Sequence, residues 1–123
     1  MKIKGYPVYK PSIIGNARKY TLECLDSGWI SSRGKFVKEF ENYFSKYQGC
    51  GFSSSVSNGT VALHLALKAL DIGPGDEIII PTLTYIASVN AITYVGAKPI
   101  FVDSDITTWN IDTSKIEDKI THK

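Results

Sequence analysis

Histidine and cysteine are scarce in this chain, and each shortage closes a line of chemistry. The two cysteines, Cys24 and Cys50, form neither a CxxC pair nor any metal-ligand spacing. They read as free thiols in a reducing cytosol, so a cytoplasmic location is expected. His64 and His122 are too few and too far apart for a metal centre, and no metal is expected. No run of five or more basic residues occurs, and the net charge is only +2. That balance argues against a nucleic acid or an anionic membrane as partner. The opening stretch MKIKGYPVYKPS holds no long apolar segment, so neither a leader peptide nor a membrane span is expected. Neither GxxxxGK(S/T) nor GxGxxG is present, which excludes the P-loop and the dinucleotide fingerprint. There is no internal repeat and no low-complexity tract.

What remains is an ordinary globular composition, 43% hydrophobic and 21% charged over 123 residues, enough for one domain or part of one. Residues 1–12, restricted by Pro7 and Pro11, read as an extended arm lying over another surface. Ser12 is placed to cap a helix over 13–26, with Ile14, Ala17, Leu22 and Leu25 near one face and Gly28 closing it. The loop GWISSRGK leads into a helix over 35–47. Its stripe of Phe36, Phe40, Tyr43, Phe44 and Tyr47 suits core or subunit packing better than a cofactor box. GFSSSVS at 51–57 reads as a strand. The helix over 59–70 is apolar on nearly all sides and is expected to be buried on more than one face. DIGPGDE is a turn, and the β-branched run IIIP from Ile78 marks a central parallel strand. A helix over 86–95 ends at Gly96, and a strand covers 99–103. The capping-box pattern Ser114-x-x-Glu117 is placed to start a last helix. The order β-α-β-α-β-α implies an α/β layer with a parallel sheet.

Chemistry concentrates where strands give way to helices. Gly59 and Thr60 open a helix whose first amides have no intrahelical partner and whose dipole favours an anion. They could hold a phosphate. The plainer alternative is an N-cap at Ser57 or Asn58 with Gly59 as a permissive turn residue. Tyr85 follows the IIIP strand at the carboxyl end of the sheet, where open parallel sheets bind ligands. Its ring either stacks on a flat cofactor or packs the loop. Asp103 and Asp105 could bind a metal or act as base, but Asp at a strand exit more often serves backbone amides. His64 reads as a core histidine.

Four blocks, GWISSRGKFVKEFE, SNGTVALHLAL, GPGDEIIIPTLTYIASVNAI and GAKPIFVDSD, resemble in that order the N-terminal part of the DegT/DnrJ/EryC1/StrS sugar-nucleotide aminotransferases. Within that family the likeness is strongest to the GDP-perosamine synthase branch. The resemblance implies the N-terminal part of the type I, aspartate aminotransferase-like large domain and the cofactor pyridoxal 5′-phosphate. Residues 1–50 would then be an N-terminal arm and two helices, and residues 51–123 an incomplete cofactor-binding domain. It also implies that Gly59 and Thr60 hold the cofactor phosphate and that Tyr85 stacks on the pyridine ring. Trp29, Ser31 and Ser32 would lie close to the sugar-nucleotide site. The implied reaction passes an amino group from glutamate, through the cofactor, to C4 of a 4-keto-6-deoxy sugar nucleotide such as GDP-4-keto-6-deoxymannose, for O-antigen or other surface polysaccharide. A homodimer with shared active sites is the implied assembly.

The family's cofactor-bearing lysine has no counterpart in matching context here; Lys98 stands before Pro99, at the wrong end of its strand. Catalytic residues are therefore not expected within 1–123, nor activity from this chain alone. The FSSSV strand, whose family neighbours come from later in the chain, is not expected beside IIIP. A different class of reading is a non-catalytic remnant that binds a phosphate ligand or a full-length paralogue. A generic nucleotide-binding α/β module is the plainest.

Overall fold

The computed structural model describes Gly5 and residues 10–122. Most of the arm expected at 1–12 lies outside the described residues. Two compact units divide the chain, one ending at Ser55 and the other beginning at Val56.

The first unit carries α1 (Ala17–Ser27) and α2 (Lys35–Gln48). Helix α1 starts later than its apolar spacing suggests. Gly15 takes φ +60°, and the Ala17 amide donates to the Ile14 carbonyl in a tight turn. A left-handed residue cannot continue a right-handed ladder. Ser12 is thus not the cap, Asn16 takes that position, and Ile13 and Ile14 stay exposed. Gly28 ends α1 in the left-handed conformation, as expected, with its amide donating to Leu25. Lys35 joins the helices, pairing with Glu23 on α1 and lying over the Phe36 ring, which itself contacts Tyr20 at 4.8 Å. The aromatic stripe forms one face of α2, with Phe40 stacked on Phe44. Within this chain, though, only Phe36 is half-buried; Phe40, Tyr43, Phe44 and Tyr47 are exposed.

Residues 51–57 do not form a strand. They run irregularly, and through 53–55 they are held by α2 instead. The Ser55 amide and hydroxyl both donate to Glu41 Oε1, at 2.8 and 3.0 Å, and the Ser53 hydroxyl donates to the Glu41 carbonyl at 2.6 Å. Ser53 and Ser55 face inward and Phe52, Ser54 and Val56 outward, the two-residue alternation of a strand without a strand neighbour. Backbone groups that find no ladder must pair elsewhere, and here the Glu41 side chain of α2 takes the Ser55 amide.

The second unit is an α/β layer. Helix α3 (Gly59–Ala69) turns into β1 (Glu77–Pro81), and α4 (Ile86–Tyr94) turns into β2 (Lys98–Val102). The strands pair in parallel, Glu77 opposite Lys98 through Pro81 opposite Val102. Ile80, Ile92, Val95 and Ala97 form the buried cluster, with Leu67, Ile72, Ile78 and Val89 packed against it. Helix α3 departs from expectation, since none of its residues is buried and Val61, Leu63 and Leu65 are 40–49% exposed. Only the side carrying Leu67 meets the cluster, and His64 meets Tyr94 edge-on at 5.7 Å. Helix α3 packs chiefly against α4, and no residue of it is buried.

The turns that feed the two strands pack on each other. Gly96, at φ +82°, lies under Pro74, whose Cγ would sit 3.0 Å from any Cβ added there. The Lys98 amide donates to the Asp76 carbonyl alongside. Beyond β2, residues 103–112 fold back through a single antiparallel bridge between Ser104 and Ile111. The expected last helix is replaced by two short 3-10 turns, Thr113–Lys115 and Glu117–Lys119. Asp112, not Ser114, is the cap. It accepts from both the amide and the hydroxyl of Ser114, which removes that hydroxyl from a capping box.

Two outcomes follow from this packing. Gly96→Ala is expected to destabilise the second unit by about 1–2 kcal/mol, from the left-handed backbone alone, and further through Pro74; a lower urea midpoint at unchanged slope checks it. Asp105 accepts from the Thr108 amide (2.7 Å) and hydroxyl (2.9 Å) and from the Thr107 amide (3.1 Å). Led by the Thr108 amide, these bonds hold its carboxyl below the usual aspartate range. A carboxyl more acidic folded than unfolded stabilises above its unfolded value and loses that contribution as pH falls through the folded value. The amide resonances of Thr107 and Thr108 should therefore stay fixed as pH falls through the ordinary aspartate range and move only below it.

Candidate cofactor-phosphate site

Parallel pairing fixes the direction of both helices in the second unit. Each helix ends in a short turn that enters its strand, and those turns lie side by side, Gly73 against the Val95 carbonyl and Pro74 against Gly96. The carboxyl ends of α3 and α4 therefore sit at the amino end of the sheet. Their amino ends, Asn58–Thr60 and Tyr85–Ile86, point to the sheet's carboxyl end, where strand-to-helix loops gather ligands.

The head of α3 is open in a specific way. Asn58, at φ −166° and ψ 171°, is the N-cap, and its side chain accepts from the Val61 amide at 3.0 Å. The Asn58 carbonyl accepts from Ala62, the first turn of the helical ladder. That leaves the amides of Asn58, Gly59 and Thr60, none of which has an acceptor among the described residues. Three donors at the positive end of a dipole make an anion cradle. Asn58 thus caps the helix, as the plainer alternative has it, and these three amides stay without an acceptor among the described residues.

Gly59 bears on the same point. Its φ is not in the left-handed range, and a Cβ built there meets nothing within 4 Å. Neither backbone strain nor a neighbour among the described residues calls for glycine, which costs helix stability relative to alanine. A group approaching from outside would. Thr60, half-buried beside it, adds a hydroxyl. These features fit a phosphate group.

Tyr85 stands at the N-cap of α4 and is 80% exposed, so it is not packed into its own loop. Trp29, Ser31 and Ser32 belong to the other unit. There Trp29 is exposed, and the Ser31 hydroxyl accepts from the Arg33 amide at 3.3 Å. The loop closes tightly onto α2, since a Cβ at Gly34 would lie 3.1 Å from the Trp29 carbonyl. Asp105 does what Asp at a strand exit commonly does, serving the amides of Thr107 and Thr108. Asp103 is exposed and approaches Lys115 at 4.0 Å. Lys98 begins β2, at the end away from the cradle, and pairs with Glu77 at 2.9 Å. Lys115 pairs with Asp112 at 3.1 Å.

Sequence reasoning passed over Glu41. A signal was present, because two serines at alternating positions on the inward side of an apparent strand ask for a polar partner rather than a core. Both thiols are free. Among the described residues no helix is long and apolar enough to cross a membrane.

The fold has known relatives. The model of the DegT/DnrJ/EryC1/StrS aminotransferase family matches residues 11–123. A GDP-perosamine synthase from Escherichia coli O157:H7 is 60% identical over 121 residues, 98% of this chain and 33% of that protein. One from Caulobacter vibrioides is 54% identical over 114 residues, 93% of this chain and 31% of that protein. The chain thus spans about a third of the length of these relatives. Among solved structures, a putative sugar aminotransferase from Streptococcus pneumoniae in its PLP form superposes with a TM-score of 0.85. It is 37% identical, over 96% of this chain and 30% of its own. The Escherichia coli GDP-4-keto-6-deoxy-D-mannose-3-dehydratase with bound hydrated PLP gives 0.83 at 30% identity, over 96% and 32%. The α/β layer with its parallel strands is that shared fold, and the chain belongs to the DegT/DnrJ/EryC1/StrS aminotransferase family.

Proposed function

We propose that this chain supplies the cofactor-gripping part of a pyridoxal 5′-phosphate-dependent sugar-nucleotide aminotransferase. The observation that carries the reading is the head of α3, where, among the described residues, three amides lack acceptors and no neighbour requires the glycine. In this reading the Gly59 and Thr60 amides and the Thr60 hydroxyl hold the phosphate, and Tyr85 offers its exposed ring to the pyridine face. Trp29, Ser31 and Ser32 contribute to the sugar-nucleotide side. Residues 51–123 then form the cofactor-binding domain in part, and residues 1–50 the arm and two helices.

The activity proposed for the whole protein is transfer of an amino group from glutamate to C4 of GDP-4-keto-6-deoxymannose, giving GDP-perosamine for surface polysaccharide such as O-antigen. It rests on the relatives named GDP-perosamine synthase. A cytoplasmic homodimer is part of the same reading. Pyridoxal phosphate, when bound, acts as the electron sink for amino transfer. The residues present bind and orient it. None of them is proposed to carry it covalently, since Lys98 is at the far end of the sheet and Lys115 is held by Asp112.

Gly59→Val tests the grip without disturbing the fold, because its Cβ has open space. Hydrogen bonds to a charged group are worth about 1.5–3 kcal/mol. Loss of one should weaken pyridoxal 5′-phosphate binding roughly ten- to a hundredfold, measured by calorimetry on the 123-residue chain. Unchanged affinity would instead favour a generic nucleotide-binding module.

A further inference from the structure

We infer that Asn58 is a specificity-determining residue at the head of α3, capping the helix without charge so that the adjoining amides keep their attraction for a phosphate. The inference deepens the phosphate reading above and rests on it. The Asn58 carboxamide is held at both ends. Its Oδ1 accepts from the Val61 amide at 3.0 Å, and its Nδ2 donates to the Ser57 hydroxyl oxygen at 3.3 Å. The Val61 amide can only donate, so it fixes which end of the carboxamide is oxygen. The Ser57 oxygen receives Nδ2 through a lone pair, which leaves its own proton for another acceptor.

Stability alone gives no preference for asparagine at this cap. Asparagine and aspartate cap about equally well, and the helix dipole favours the charged one. The same unit uses aspartate elsewhere to receive backbone amides. Asp76 takes the Gly73 amide at 2.7 Å, Asp105 that of Thr108 at 2.7 Å and Asp112 that of Ser114 at 3.1 Å. The neutral side chain stands where the next two amides, those of Gly59 and Thr60, have no acceptor among the described residues. An aspartate at 58 would occupy the positive end of the dipole with its own carboxylate and draw the Ser57 proton to itself. It would also set a negative charge one residue from Gly59, against a phosphate ester that carries about −1.5 to −2 near pH 7. Repulsion between such close charges is strong, and salt weakens it where water reaches them.

Calorimetry with pyridoxamine 5′-phosphate on the 123-residue chain decides this, since that probe has no aldehyde to react with surface lysines. The comparison is Asn58→Asp against Asn58→Ser, two capping side chains of which only the first is charged. Asn58→Asp should bind about tenfold or more weakly than Asn58→Ser at low salt, and the gap should narrow as salt is added. With phosphate-free pyridoxamine the two variants should not differ. Hydrogen exchange at the Val61 amide should be no faster in the Asp variant than in the Ser variant, which shows the cap intact. Equal affinity of the two variants for pyridoxamine 5′-phosphate would overturn the inference, and so would faster Val61 exchange in the Asp variant, because the weakening would then come from a lost cap. Gly59→Val separates this failure from failure of the phosphate reading. If Gly59→Val weakens binding while the Asp and Ser variants match, the phosphate reading stands and the role of Asn58 falls. If all three variants bind like the unmutated chain, or the unmutated chain does not bind, the phosphate reading falls and this inference with it.

Discussion

Parallel pairing of β1 with β2 is the constraint on which the candidate site depends. Two neighbouring parallel strands oblige the helix between them to run back antiparallel, and α3, which feeds β1, runs back in the same sense. Helix dipoles that would oppose each other in an up-and-down hairpin here point the same way. Both positive ends thus arrive at one edge of the layer, with Tyr85 at one of them and three unpaired amides at the other. The small core of Ile80, Ile92, Val95 and Ala97 maintains that geometry, and Gly96 lets the two feeding turns touch at the opposite edge.

Where one local rule dominated, the sequence was legible. The IIIP run, the Gly28 and Gly96 stops and the glycine-hydroxyl pair at the head of α3 were each decided by nearby residues and stand where the pattern placed them, except that IIIP, expected as a central strand, is one of only two paired strands among the described residues. Features that depended on a competing local interaction were missed. Gly15 overrode the Ser12 cap by turning left-handed. Asp112 took the Ser114 hydroxyl away from its capping box. Those competitions are between neighbours of similar strength, and spacing alone does not rank them.

A second kind of miss concerned burial. Composition marked α3 for burial on several faces and 51–57 for a strand, yet α3 keeps Val61, Leu63 and Leu65 exposed and 51–57 forms no strand. Both patterns describe what a segment is suited to, not which neighbour it meets. The segment 53–55 resolved the mismatch by giving its polar inward face to Glu41 and Ser45. Serines rather than valines at positions 53 and 55 made that exchange possible, so the composition of an apparent strand already carried its alternative partner.

The cost of Gly59 bears on how the site is read. Glycine loses more backbone freedom on helix formation than alanine, by roughly 0.5–1 kcal/mol in a helix interior. Where glycine serves the fold, the structure shows why. Gly96 has a left-handed φ and Pro74 overhead, and Gly34 has the Trp29 carbonyl within 3.1 Å of a Cβ position. Gly59 has neither. Its helix recovers stability next door, where the Asn58 side chain caps Val61, yet the cap leaves the Asn58, Gly59 and Thr60 amides without acceptors. A turn shaped only for stability would carry a side chain at 59 and meet nothing among the described residues. The arrangement makes physical sense when an anion supplies the missing acceptors and needs the space that a Cβ would occupy.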